Sequence, residues 1–139
     1  MGPDKIKVRI AEDRSLTVPI ASDELKMVVP NAAEAQAWYA KYFGAKLVKQ
    51  GADTVAEIPG ANLRFAESKT PVAGTKGRAL DRLGFEVRNL EEFVRNLQGS
   101  GAQLNGNINK AKNMALAVSI LTDPWGTYIE LSEGLAAVK

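Results

Sequence analysis

Apolar and polar positions follow two rhythms along this chain, and the rhythms recur in the same order twice. Glu24-Leu25-Lys26-Met27-Val28-Val29 reads as a short strand closed by Pro30. Asn31 then predicts a helix N-cap, with Glu34 three residues on as its capping-box partner. Ala35, Trp38, Tyr39, Tyr42 and Phe43 follow helical spacing, and Gly44 stops the helix where a left-handed residue is needed. Residues 45–49, 54–58 and 61–66 read as three strands, divided by Gly51-Ala52 and Pro59-Gly60.

After residues 67–79, where Pro and Gly are frequent and periodicity is lost, the order restarts. Arg82 to Val87 predicts a strand, and Asn89 caps a second helix with Glu92 at the capping-box position. Phe93, Val94 and Leu97 form its expected buried stripe, which Gly99 and Gly101 end. A polar loop, residues 105–113, precedes the apolar strand 115–121. Asp123-Pro124-Trp125-Gly126 then predicts a tight turn, behind which Tyr128 and Glu130 share one strand face and Ile129 and Leu131 the other. Pro59-Gly60 leads into a similar strand, with Arg64 where Glu130 would be.

These positions predict an α+β fold of two tandem βαβββ modules, residues 22–67 and 80–133, joined by a linker over 68–79 and followed by a tail over 134–139. Ahead of them, Lys5-Ile6-Lys7-Val8-Arg9-Ile10 and then Leu16, Val18 and Ile20 alternate as half-buried strands do. That pattern predicts an extra N-terminal β ribbon or arm over residues 1–21.

Composition narrows the chemistry. A chain of 139 residues, 45% hydrophobic and 24% charged, suits a folded globular protein. No apolar run is long enough to span a bilayer, so no membrane partner is expected. The net charge of +2 is spread along the chain, unlike the concentrated basic face of a nucleic-acid binder. A cytoplasmic protein is expected, or a secreted or periplasmic one if a signal peptide has been removed. The chain holds no cysteine and no histidine, which removes thiolate chemistry together with the commonest general base and transition-metal ligand.

The phrases Val29-Pro30-Asn31-Ala32-Ala33-Glu34-Ala35-Gln36-Ala37-Trp38-Tyr39, Tyr42-Phe43-Gly44-Ala45, Leu83-Gly84-Phe85-Glu86-Val87-Arg88-Asn89-Leu90-Glu91 and Asp123 to Leu131 resemble the vicinal oxygen chelate superfamily. Its members include glyoxalase I, extradiol dioxygenases, fosfomycin-modifying enzymes and bleomycin resistance proteins. The resemblance, over roughly residues 22–133, implies curved mixed sheets around a ligand cavity, and in many short members a homodimer. In the enzymes it implies a divalent metal held by His or Glu from the first and last strands of the modules. Those positions fall on Glu24, Arg64, Arg82 and Glu130.

That quartet departs from the family pattern. A cation needs convergent lone pairs, and a guanidinium has none to offer and stays protonated. Two carboxylates with two arginines suit bidentate pairing instead. The expectation is therefore an ion-pair network at the former metal positions, with no metal or other cofactor. If buried, it would be strongly destabilised by removing one partner, as in Arg82→Ala. The function expected is that of a glyoxalase/bleomycin resistance/dioxygenase-like protein that has lost its metal and binds a small molecule. Trp38, Tyr39, Trp125 and Tyr128 are candidate ligand-contacting walls. The alternative is an enzyme using Ni, Zn, Mn or Fe, either a glyoxalase-like lyase or isomerase or an extradiol dioxygenase-like oxidoreductase. A homodimer is expected, to cover apolar sheet faces.

Overall fold

A computed structural model of the chain describes residues 7–51, 53–112 and 115–137. It divides into two compact units, Met1–Val72 and Ala73–Lys139. Each holds one helix and one four-stranded mixed sheet, so the fold is α+β with two βαβββ modules in tandem.

The first module runs β1 (Glu24–Val29), α1 (Ala32–Phe43), β2 (Lys46–Gln50), β3 (Asp53–Ile58) and β4 (Ala61–Glu67). Its sheet is ordered β1-β4-β3-β2, with β1 parallel to β4 and the other pairs antiparallel. The helix starts because Asn31 Oδ1 accepts the N–H groups of Ala33 and Glu34 at 3.0 and 3.1 Å. It stops at Gly44, whose φ of 65° lies in the left-handed region. Strand alternation sends Met27, Val29, Leu63 and Phe65 toward α1, where Ala35 and Tyr39 complete a buried core.

The second module runs β5 (Leu83–Glu86), α2 (Leu90–Gly99), β6 (Asn109–Lys110), β7 (Ala117–Thr122) and β8 (Tyr128–Glu133). Its sheet order is β5-β8-β7-β6, again with one parallel pair, β5 and β8. Asn89 caps α2, accepting from Glu92 N at 3.3 Å and donating through Nδ2 to the Glu92 carboxylate at 2.7 Å. Leu90, Val94 and Leu97 of α2 bury against Leu121, Ile129 and Leu131. The expected stripe is thus corrected at one position. Phe93 is half-buried and Leu90, at the first helical residue, takes its place in the core.

A shared device ties each helix to its sheet. Glu67 ends β4 and accepts the Ala32 N–H at 3.3 Å, while Glu133 ends β8 and accepts the N–H groups of Asn89 and Leu90 at 3.2 and 2.9 Å. A carboxylate at a helix N-terminus meets both an orphan donor and the positive end of the dipole.

Two further expectations are corrected. Residues 7–20 form no strand, and their alternating Val8, Ile10, Leu16, Val18 and Ile20 are exposed. Residues 1–6 of the expected ribbon or arm lie outside the described residues. The loop over 105–113 contains the two-residue strand β6, which pairs with β7. The linker is anchored: Thr75 N donates to Gly126 O at 3.0 Å, and Thr75 Oγ1 accepts from Tyr128 N at 2.9 Å and donates to Asp81 O at 2.8 Å. Among the described residues no helix is long and apolar enough to cross a membrane.

Candidate functional site

The four charged candidates lie on the sheet sides turned away from the helices, because strand alternation gives the other face to the core. In the first module β1 and β4 pair with Lys26 opposite Arg64. Glu24, two residues before Lys26, shares its face. Arg64 Nε donates to Glu24 Oε2 at 2.7 Å, Nη2 lies 2.7 Å from the same oxygen, and Nη1 donates to Asp53 Oδ2 at 2.7 Å. The Arg64 and Glu24 side chains are only 16% and 19% exposed. Arg9 reaches the other Glu24 oxygen at 3.0 Å. The Glu24 and then Asp53 hydrogen bonds hold the Arg64 guanidinium pKa above its ordinary value.

The second module repeats the geometry with the charges exchanged. Gly84 stands opposite Glu130 in the β5–β8 pair, as Lys26 stands opposite Arg64. Arg82, two residues before Gly84, therefore corresponds to Glu24, and Glu130 to Arg64. Arg82 Nη1 donates to Glu130 Oε2 at 2.6 Å, and Nε donates to Asp81 Oδ2 at 2.7 Å. Asp81 also accepts the Gly77 N–H at 2.6 Å. The Gly77 N–H first, and Arg82 second, hold the Asp81 carboxyl below its ordinary range. This pair is more open, with the Arg82 and Glu130 side chains 46% and 30% exposed. Burial, the condition for a strong loss of stability on removing Arg82, is not met here, since exposed pairs are screened.

Glu24 is thus brought together with Arg64, and Arg82 with Glu130. Asp53 and Asp81 complete each cluster; sequence reasoning missed Asp53 altogether and the pairing of Asp81 with Arg82. Asp81 adjoins Arg82 and could have been found from that neighbourhood, whereas Asp53 is placed only by the β3–β4 pairing. Among the aromatic candidates, Tyr39 is fully buried on the helix side of its sheet, its ring 5.6 Å from that of Phe65. Trp38 belongs to the same helix cluster, 5.0 Å from Tyr39 and 4.9 Å from Tyr42 between ring centroids. Both are packing residues of α1. Trp125 is half-buried in the turn before β8, its N–H donated to Asp123 Oδ1 at 2.9 Å. Tyr128 stays with the charged cluster, with the Lys76 ammonium 4.8 Å and the Arg82 guanidinium carbon 5.3 Å from its ring centroid.

A divalent metal does not fit these donors. At each pair of corresponding positions one side chain is a carboxylate and the other a guanidinium, which repels a cation and has no lone pair. Asp123, buried in the turn, directs one oxygen to two backbone N–H groups, of Trp125 and Thr127, at 2.9 and 2.7 Å.

Residues 21–131 match the family profile of the Glyoxalase/Bleomycin resistance protein/Dioxygenase superfamily. The chain belongs to that superfamily. Among curated proteins none matches it significantly. Its fold is similar to that of TioX from Micromonospora sp. ML1, at 17% identity and a TM-score of 0.66 over 83% of this chain and 99% of that one. It is also similar to the oxidase ChaP-H2, at 16% identity and a TM-score of 0.68 over 84% and 94% of the two chains. A glyoxalase/bleomycin resistance protein/dioxygenase from Alicyclobacillus acidocaldarius gives 15% identity and a TM-score of 0.64 over 86% and 96%.

Proposed function

We propose that this superfamily member has exchanged its metal site for ion pairs and binds a small molecule on the sheet faces away from the helices. One observation carries the reading: Glu24–Arg64 and Arg82–Glu130 stand at corresponding positions of the two modules with their charges reversed. Each arginine is held by two carboxylates, so a guanidinium neutralises the carboxylates where a metal cation otherwise would. The resemblance read from the sequence puts metal ligands at these four positions. A lyase, isomerase or dioxygenase dependent on Ni, Zn, Mn or Fe is disfavoured by the donor set itself.

Ligand capture in this reading uses polar exchange and an aromatic wall. An arginine between two carboxylates can turn a face to an incoming polar or anionic group, and Tyr128 supplies a ring beside Arg82. The protein acts as a homodimer in the same reading, since Val28 and Leu47 are 53% and 54% exposed on a strand of each edge of the first sheet. Light scattering at micromolar concentration tests that part, and a monomer mass would defeat it.

Thermal melts test the binding function. A small-molecule ligand that binds only the native state raises the melting temperature, by mass action. The expected result is a stabilising shift with members of a small-molecule library and none with Ni²⁺, Zn²⁺, Mn²⁺ or Fe²⁺. A shift with one metal ion alone would contradict the reading.

A further inference from the structure

Three hydrogen-bond donors without a partner gather at Tyr128. The Lys76 ammonium stands 4.8 Å from the Tyr128 ring centroid and the Arg82 guanidinium carbon 5.3 Å from it. Among the described residues, Lys76 makes no ion pair. Arg82 uses Nε on Asp81 and Nη1 on Glu130, which leaves Nη2 unbonded. The Tyr128 hydroxyl likewise has no partner among the described residues. Two cations close to one ring repel each other, and Asp81 and Glu130 offset part of that repulsion. Among the described residues neither carboxylate bonds the Lys76 ammonium: Glu130 faces Arg82 Nη1, and Asp81 is held by the Gly77 N–H and Arg82 Nε.

From this arrangement we infer that Lys76, Arg82 and Tyr128 form an oxyanion site, taking the carboxylate or phosphate of a small molecule. The inference rests on the ligand-binding reading above and names its ligand class. Arg82 offers a planar donor edge, Lys76 a mobile point charge, and the phenol a third donor with an apolar ring for the ligand body. Lys76 is positioned by the anchored linker, since its neighbour Thr75 bonds to Gly126, Tyr128 and Asp81. The site therefore depends on the contact of Gly74-Thr75 with the Asp123–Gly126 turn. Glu130 opposes the anion, so neutralising it strengthens binding.

The contrast with Lys41 sharpens the point. Lys41 also lies over a tyrosine ring, that of Tyr42 at 4.6 Å, but its ammonium bonds to the Tyr42 hydroxyl at 3.1 Å. It serves as the control.

The test is an NMR titration of the full chain with inorganic phosphate and, separately, with succinate, following the Tyr128 ring and the Thr75 and Tyr128 amides. The expected result is saturable shifts at these groups with Kd on the order of 1 mM for at least one probe. Lys76→Gln and Arg82→Gln each weaken binding about tenfold. Glu130→Gln tightens it several-fold, and Lys41→Gln leaves it unchanged. A preference for phosphate over succinate, or the reverse, assigns the anion. Shifts that never saturate with either probe, or that survive Lys76→Gln undiminished, overturn the inference. Lys76 is exposed, so that variant folds as the parent does. A metal-loaded protein that still binds phosphate here would defeat the preceding reading alone. A metal-free protein with no anion response at Tyr128 would defeat this one alone.

Discussion

Arg64 and Arg82 each sit between two carboxylates, but at different depths, and depth decides what each is worth. Arg64 is 16% exposed and its cross-strand neighbour Val55 only 1%, so Arg64→Ala leaves Glu24 to the exposed Arg9 and uncovers apolar surface. We expect a loss of about 1–3 kcal/mol in urea melts. Arg82 is nearly half exposed, and Arg82→Ala is expected to leave the melting temperature within experimental scatter. A large loss there would mean that the pair is covered in solution. Asp81 titrates below the ordinary carboxylate range because the Gly77 N–H and then Arg82 favour its charged form. A depressed folded-state pKa stabilises above the ordinary value, and that stabilisation is lost as pH falls through the depressed one. Carboxyl NMR of Arg82→Gln should move the Asp81 pKa partly upward, the Gly77 bond retaining the rest. Ser119 makes a separate case. Its hydroxyl is buried without a hydrogen-bond partner among the described residues, facing the core from β7. Ser119→Ala should be neutral or stabilise by up to about 1 kcal/mol in chemical denaturation.

At the scale of elements, the turns before the last strands look alike in sequence and differ in surroundings. Gly60 and Gly126 have φ of 84° and 88°, so a side chain strains both. A side-chain carbon on Gly60 meets open space, whereas the chain at Gly126 passes so close to Gly74 that a carbon there would come within 2.8 Å of its Cα. Gly60→Ala should cost about 1 kcal/mol and Gly126→Ala clearly more, compared by thermal melts. The local signals for these elements were legible because they are short-range: Asn31 and Asn89 as caps, Gly44 as a stop, Asp123-Pro124 as a turn. The Glu67 and Glu133 helix ties were not read, although each follows its glycine by seven residues, because they depend on the pairing of the first and last strand of each module. The N-terminal alternation misled, because alternation states which residues could face a core and not whether a neighbouring strand exists. Asp53 was hidden for a related reason, since its meeting with Arg64 depends on register across β3 and β4.

For the whole molecule, the duplicated βαβββ order was readable because each module repeats cap, stripe, stop and turn in one sequence. Family membership followed from the same phrases, and residues 21–131 match it. The charge exchange between modules was readable only as an anomaly in residue type. Its geometry needed the register that puts Lys26 opposite Arg64 and Gly84 opposite Glu130. Fold alone does not name a reaction, so the chemistry rests on those four side chains. Elemental analysis of protein purified without chelator, with the metal-to-chain ratio as readout, tests this most directly. The account predicts substoichiometric traces of every transition metal, unchanged in Glu130→Gln. One metal at a ratio near one, lost in Glu130→Gln, would contradict it.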